Sequence, residues 1–305
     1  MELVAAGPGS QDRADSAPSG TGDGAKTAAE LAPRHLSPSG ASVFRQCPRR
    51  WRFRYVERLP DPPGEAALAG TFAHRVLELL LQMPAAERTV DTARALARRA
   101  WPEIETDEDF RDLGLDEEAA KAFRWRGWLA VEGLWRLEDP CTVEVHATEH
   151  DVAVAIDGVP FRGIIDRVDT TEAGLVVSDY KSGQAPGDRW SAERLDQVLL
   201  YAAALAELTG QRPVKARLLY LGQKIVDVDV DDDSLGGAVS ALRGTWDALT
   251  AAAAADEFEA KPGPLCGWCP YVGRCAEGAA EVRFRDDAGR MRADAPALVT
   301  LAEAG

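Results

Sequence analysis

The chain has 305 residues, 46% of them hydrophobic, and a formal net charge of −15. That length suits one large domain or two small ones, and the acidic balance argues against a protein coated in nucleic acid. No apolar run approaches the ~18 residues of a membrane span, and the opening MELVAAGPGSQDRADSAPSG lacks the basic start and apolar core of a signal peptide. A cytoplasmic location is therefore expected. Disulfides are rare there, so the five cysteines point to metal or cluster ligation at least as strongly as to packing.

Residues 1–35 are rich in Ala, Gly, Ser, Asp and Pro, the composition of a disordered tail. Ser37-Pro38 reads as a helix start, and the helix should end before Pro48. Residues 41–58 carry Arg45, Arg49, Arg50, Arg52, Arg54 and Arg58 against Glu57 alone, with Phe44, Trp51, Phe53 and Tyr55 between them. Such a segment is either a confined track for single-stranded nucleic acid or a helix whose arginines pair with acidic neighbours.

A helix over 66–82 buries Phe72, Val76, Leu79 and Leu80, and His74 lies off the centre of that stripe. Two further helices follow at 90–101 and 116–137, the second with Trp125, Trp128 and Trp135 at packing positions. From Cys141 the pattern alternates. Strands are expected at 143–145 and 149–156, then a tight turn at Asp157-Gly158 into a strand over 159–169.

Two apolar runs, Gly163 to Asp169 and Leu175 to Lys181, flank a polar turn and predict a β-hairpin. A turn centred between Glu172 and Ala173 sets Asp166 directly opposite Asp179, with Cβ atoms roughly 5 Å apart. Lys181 shares that face. Two carboxylates so close need a cation, and a divalent metal is the natural candidate. A solvated face with a salt bridge is the alternative.

The apolar helix over 194–208 carries Gln197 and Tyr201 four residues apart on one face. A hairpin around Gly222-Gln223 and a helix over 234–254 complete this part. No Gly-rich phosphate loop is present, so no ATP-driven motor is encoded. Near the C-terminus Cys266, Cys269 and Cys275 follow a C-x2-C-x5-C spacing. Zinc and an iron–sulfur cluster both want a fourth ligand. Cys47 and Cys141 are the candidates, and Cys47 is favoured because Cys141 precedes a strand as a small core residue would.

Cys47, Gly70-x3-His74, Asp166, Asp179-Tyr180-Lys181, Gln197-x3-Tyr201 and then Cys266, Cys269 and Cys275 occur in that order. The set resembles the RecB-family nucleases of the PD-(D/E)XK superfamily, in their iron–sulfur branch. That branch includes AddB-type nuclease domains and CRISPR-associated RecB-like exonucleases. The resemblance covers about residues 36–280, leaving 281–305 as a C-terminal tail. It implies an α/β fold with a restriction-endonuclease-like core: a mixed central sheet flanked by helices, with a cluster joining the N- and C-terminal parts. It further implies that His74, Asp166, Asp179 and the Tyr180 carbonyl hold Mg²⁺ or Mn²⁺, and that Lys181 is catalytic. Gln197 and Tyr201 match a motif beside the active site, and Glu149, or else Glu144, matches an upstream glutamate. Ile165 departs from the family's proline. The cysteines Cys47, Cys266, Cys269 and Cys275 would carry a [4Fe–4S] cluster. The function expected is a metal-dependent DNA exonuclease acting on single strands or ends in repair or recombination, with a helicase or CRISPR-adaptation partner. The alternative is a non-catalytic single-strand-binding subunit.

Overall fold

The computed structural model describes residues 31–187 and 192–303, so residues 1–30 of the expected tail lie outside the described residues. The expected single domain over 36–280 divides into two compact units. The larger comprises Arg34–Ala41 and Asp61–Trp246, and the smaller includes Ser42–Pro60 and Asp247–Gly305.

The chain runs through α1 (Pro38–Gln46), α2 (Pro48–Trp51), α3 (Glu65–Leu81), α4 (Val90–Glu105), α5 (Glu108–Asp112) and α6 (Glu117–Glu132). Then come β1 (Glu144–Ile156), β2 (Val159–Thr171), β3 (Gly174–Lys181), α7 (Ala192–Thr209), β4 (Lys215–Tyr220) and β5 (Lys224–Asp229). The remaining helices are α8 (Asp232–Ala255), α9 (Ala276–Asp287) and α10 (Pro296–Glu303).

The five strands form one mixed sheet in sequence order. β1, β2 and β3 are antiparallel neighbours, β3 pairs parallel with β4, and β4 returns antiparallel to β5. A parallel pair needs a crossover, and the segment bearing α7 supplies it. Asp157 and Gly158 both have positive φ, as a two-residue hairpin turn requires. The two strands expected at 143–145 and 149–156 are one continuous β1. Its register slips between Val145 and Ala147, and that bulge breaks the alternation on which a strand reading depends.

Helices α3, α4 and α6 build one hydrophobic core. Phe72, Val76, Leu77 and Leu80 pack with Leu96, Ala100, Trp101, Phe123 and Val131, and Tyr180, Leu219 and Leu221 of the sheet side join them. Trp101, Phe110 and Phe123 meet edge-on or tilted, at centroid distances of 5.0–6.0 Å. Trp128 belongs to this core, but Trp125 is 59% exposed. The buried row of α6 runs Phe123, Gly127 and Val131, which turns residue 125 outward.

In the smaller unit, segments distant in sequence pack together. Trp51 stacks on Phe258 at 5.7 Å, and Phe53 meets Tyr271 edge-on. Of residues 281–305, expected as a tail, the described 281–303 instead continue α9 and form α10. Val282 and Ala297 are buried with Val272 and Ala279, and Leu298 and Leu301 pack against them.

Candidate metal centre

The hairpin fixes the site. Its ladder runs from Thr171 opposite Gly174 to Arg167 opposite Ser178, the register set by a turn between residues 172 and 173. The next step brings Asp166 to Asp179, and both are buried. The Tyr180 N–H donates to Asp166 Oδ2 at 2.7 Å. From α3, His74 Nδ1 lies 3.5 Å from the same oxygen. α3 passes close to the chain just past β3 at Gly70, where a Cβ would stand 2.8 Å from Ser182 Oγ.

Glu149 enters from β1. It adopts φ 45°, rare for a residue with a side chain and a form of strain that gathers at functional sites. His74, Glu149 and Asp166 have ligand atoms within 4.8 Å of one another, the single group of three such residues among those described. Asp179, expected in the innermost ligand set with His74, is held from the other side. Lys181 Nζ lies 2.7 Å from its Oδ2, and Gln197 Nε2 donates to its Oδ1 at 3.0 Å. Lys181 also donates to Gln197 Oε1 at 3.1 Å, and Tyr201 Oη lies 3.4 Å from Gln197 Nε2. The Tyr201 ring lies on the backbone of β2, where a Cβ at Gly163 would stand 2.6 Å from it.

Charge is crowded here. Burial and the neighbouring Asp166 push Glu149 up to about 8. Burial and Asp166 likewise raise Asp179 to about 6, against the pull of Lys181. Burial acts to lower His74, but the attraction of Asp166 overcomes it and holds His74 at about 9. Burial would raise Asp166 too, yet His74 and the Tyr180 N–H keep it below its ordinary value. Lys181 is raised because Asp179 outweighs the cost of burial. A carboxyl that retains its proton at neutral pH, as Glu149 does, marks a place short of positive charge. Two carboxylates and an imidazole suit Mg²⁺ or, with the nitrogen ligand, Mn²⁺.

The PD-(D/E)XK nuclease superfamily model matches residues 35–276. The chain belongs to the PD-(D/E)XK nuclease superfamily. PD-(D/E)XK nucleases use divalent metals, which the donor set above fits. The chain is also similar to the Gene 69 protein of Mycobacterium phage D29, 33% identical over 109 residues. The match covers 35% of this chain and 36% of the phage protein. The Gene 69 protein of Mycobacterium phage L5 is 23% identical over 214 residues, 56% of this chain and 70% of that protein. A crystal structure from Eubacterium rectale, named as a candidate exonuclease, has a TM-score of 0.49 at 15% identity and covers 78% of this chain and 87% of its own.

In this PD-(D/E)XK nuclease the cysteines separate by unit. Cys47, Cys266, Cys269 and Cys275 line one cavity of the smaller unit. Cys141 belongs to the larger unit, with Sγ 3.6 Å from the Arg88 carbonyl. Backbone N–H groups of Lys261, Gly263 and Gly278 donate to the sulfurs of Cys47, Cys266 and Cys275 at 3.3–3.4 Å. Among the described residues, no three cysteine sulfurs lie within 4.8 Å of one another.

The arginine segment is largely committed within its own unit. Arg49 Nε donates to the Phe258 carbonyl at 2.8 Å, and its Nη2 lies 3.6 Å from Glu277. Arg52 pairs with Glu57 and Asp256. Arg50 lines the cysteine cavity, and Arg54 lies over the Tyr55 ring at 5.5 Å. Arg45 is exposed. For Arg49 and Arg52 the structure matches the ion-pairing alternative, not a free phosphate track.

Sequence reasoning missed a buried ionic group in the larger unit. Arg167 is wholly buried and pairs with Asp169 and Glu138, while Arg217 bonds Asp169 and Ser178. The signal was available: in β2, charged residues recur at 167 and 169, alternate positions within its buried run of 165–169.

Proposed function

We propose that the protein is a metal-dependent DNA exonuclease acting on single strands or ends, in repair or recombination. The observation that carries this reading is the convergence of His74, Glu149 and Asp166 beside an Asp179–Lys181–Gln197 bracket in a PD-(D/E)XK chain. His74, Glu149 and Asp166 would hold Mg²⁺ or Mn²⁺, with Asp179 completing the ligand set. When bound, the ion polarises the scissile phosphodiester and makes an attacking water more acidic.

The chain's own residues do the rest. Lys181 carries a fixed positive charge to the edge of the site, where it stabilises the negative charge that builds on the phosphoryl oxygens. Gln197 holds that ammonium and Asp179 in one geometry, and Tyr201 steadies Gln197. Glu149, protonated near neutral pH when no cation is bound, gives up its proton to bind one. Within the basic segment the exposed arginines are Arg45 and Arg58.

The four-cysteine cavity is proposed to hold a [4Fe–4S] cluster as a structural element, since hydrolysis moves no electrons. The N–H···S contacts suit thiolate ligands of a cluster.

The test is cleavage of end-labelled single and double strands by anaerobically purified protein, with and without Mn²⁺. Progressive shortening that needs Mn²⁺ and is lost in Asp166→Asn is expected. Intact substrate with wild-type protein in Mn²⁺, together with tight strand binding, would instead make it a non-catalytic binding subunit.

A further inference from the structure

Tyr180 touches both sides of the proposed metal centre by different atoms. Its backbone N–H donates to Asp166 Oδ2 at 2.7 Å. Its ring meets the His74 ring edge-on at 5.7 Å. One residue therefore sets the orientation of a carboxylate and an imidazole that come from different elements, β2 and α3.

The side chain of Tyr180 is itself held. Arg167 Nη1 donates to its hydroxyl at 3.0 Å, and the guanidinium carbon lies 5.6 Å from the centre of its ring. Arg167 is fully buried and has little freedom to adjust. Its Nε bonds Asp169, and its Nη1 also bonds Glu138, just beyond α6. Strand alternation turns Arg167 away from the face that Asp166 occupies. The network thus grips the hairpin from behind, through the residue that follows Asp166 and the residue that follows Asp179.

We propose that the Arg167–Tyr180 pair is a positioning device for the metal centre. Held by Asp169 and Glu138, it fixes Tyr180, and Tyr180 fixes the angle between His74 and Asp166. Neither side chain of the pair touches metal or substrate. The inference rests on the metal-dependent reading above, and it assigns to Arg167 and Tyr180 what outer partners of metal ligands do elsewhere: they raise affinity by holding ligands in place.

Removing Arg167 would strand Asp169 and Glu138 in a buried setting, so Tyr180→Phe is the cleaner variant. It keeps the ring against His74 and the N–H to Asp166, and deletes only the hydroxyl that Arg167 grips. The comparison variant is Phe110→Ala, which removes a buried ring packed on Trp101 and Phe123 and touches no member of this network. Mn²⁺ affinity, read by electron paramagnetic resonance of free Mn²⁺ without DNA, is set beside the melting temperature in EDTA. Tyr180→Phe should weaken Mn²⁺ binding about tenfold with a small change in melting temperature. Phe110→Ala should melt lower, as large-to-small core substitutions do, yet bind Mn²⁺ like wild type. Unchanged affinity in Tyr180→Phe overturns the proposal, as does a loss of affinity that tracks melting temperature in both variants. Wild-type protein that fails to bind Mn²⁺ at all overturns the metal-site reading itself, a separate and recognisable result.

Discussion

Lys181 Nζ lies 2.7 Å from Asp179 Oδ2, and this ion pair is spanned by one amide. Gln197 accepts from Lys181 through Oε1 and donates to Asp179 through Nε2. The amide therefore reads the pair in one orientation. Gln197→Glu reverses half of it, setting a second carboxylate against Asp179. Lys181→Ala should lower cleavage by about a hundredfold or more, as loss of a charge that stabilises the transition state does. Gln197→Ala should cost about tenfold, or about 1.4 kcal/mol in the barrier. Both variants should bind end-labelled DNA as wild type does in a gel-shift assay with Ca²⁺, and a single-turnover cleavage assay reads the difference. Cleavage by Lys181→Ala at the wild-type rate would remove Lys181 from the mechanism.

The protons held by the site predict its pH behaviour. Glu149 is raised from 4.5 to about 8, Asp179 from 3.8 to about 6 and His74 from 6.5 to about 9. Each is a raised value, so each contributes stability that is full below its unfolded value and is lost as pH rises through the folded one. Asp166 is lowered and acts the opposite way, but its window lies on the acid side. The metal-free protein should therefore melt progressively lower between about pH 6 and 9. Ligation requires Glu149 and His74 to shed their protons, so Mn²⁺ affinity should climb over the same window and flatten the melting profile. Differential scanning fluorimetry in EDTA and in Mn²⁺ measures both. A melting temperature in EDTA that rises across that window would contradict the crowding of these groups.

The hairpin was readable because its turn is polar and its flanks are apolar, so the register followed from the chain alone. Helices α3 and α7 were readable from their periodicity, and with them His74, Gln197 and Tyr201. What the sequence hid was non-local. Arg49 and Arg52 find partners at residues 256–277, some two hundred positions away, which no local charge count reveals. The closeness of Glu149 to His74 depends on a left-handed backbone turn within β1, and the bulge in that strand disguised it as two shorter ones. Buried Arg167 contradicts the habit of reading charge as surface. Its partner Glu138, and Arg217, which shares Asp169 with it, come from separate segments, so only the folded sheet brings them together.

Gly163 carries a prediction that separates geometry from stability. A Cβ at this position would stand 2.6 Å from Cε1 of Tyr201, and a ring packed against Phe161 has little room to retreat. Gly163→Ala should displace Tyr201 and loosen Gln197. The expected cost in stability is about 1–3 kcal/mol, as for an overpacked core, with a further fall in cleavage rate at temperatures where the variant remains folded. Denaturant titration and single-turnover kinetics on the same preparation separate the two. The double variant Gly163→Ala with Tyr201→Leu should recover stability, because the clash is gone, but should not recover rate. Full recovery of rate would mean that Tyr201 only fills space.

The cysteines give a test that needs no substrate. Cys47 shares a cavity with Cys266, Cys269 and Cys275, whereas Cys141 lies near Arg88 in the other unit. If the cavity holds an iron–sulfur cluster, anaerobically purified protein should be brown, and iron and sulfide should be present in equal amounts. Cys47→Ser should lose iron and colour, and Cys141→Ser should keep both. Because Cys47 joins the Ser42–Pro60 segment to the C-terminal cysteines, its loss should also unfasten that segment and expose it to proteolysis. Limited trypsin digestion, with its many arginine sites between residues 45 and 58, should cut the Cys47→Ser protein first in this stretch. Colourless wild-type protein containing one zinc would replace the cluster with zinc. Retention of iron in Cys47→Ser together with its loss in Cys141→Ser would reverse the assignment of the fourth ligand.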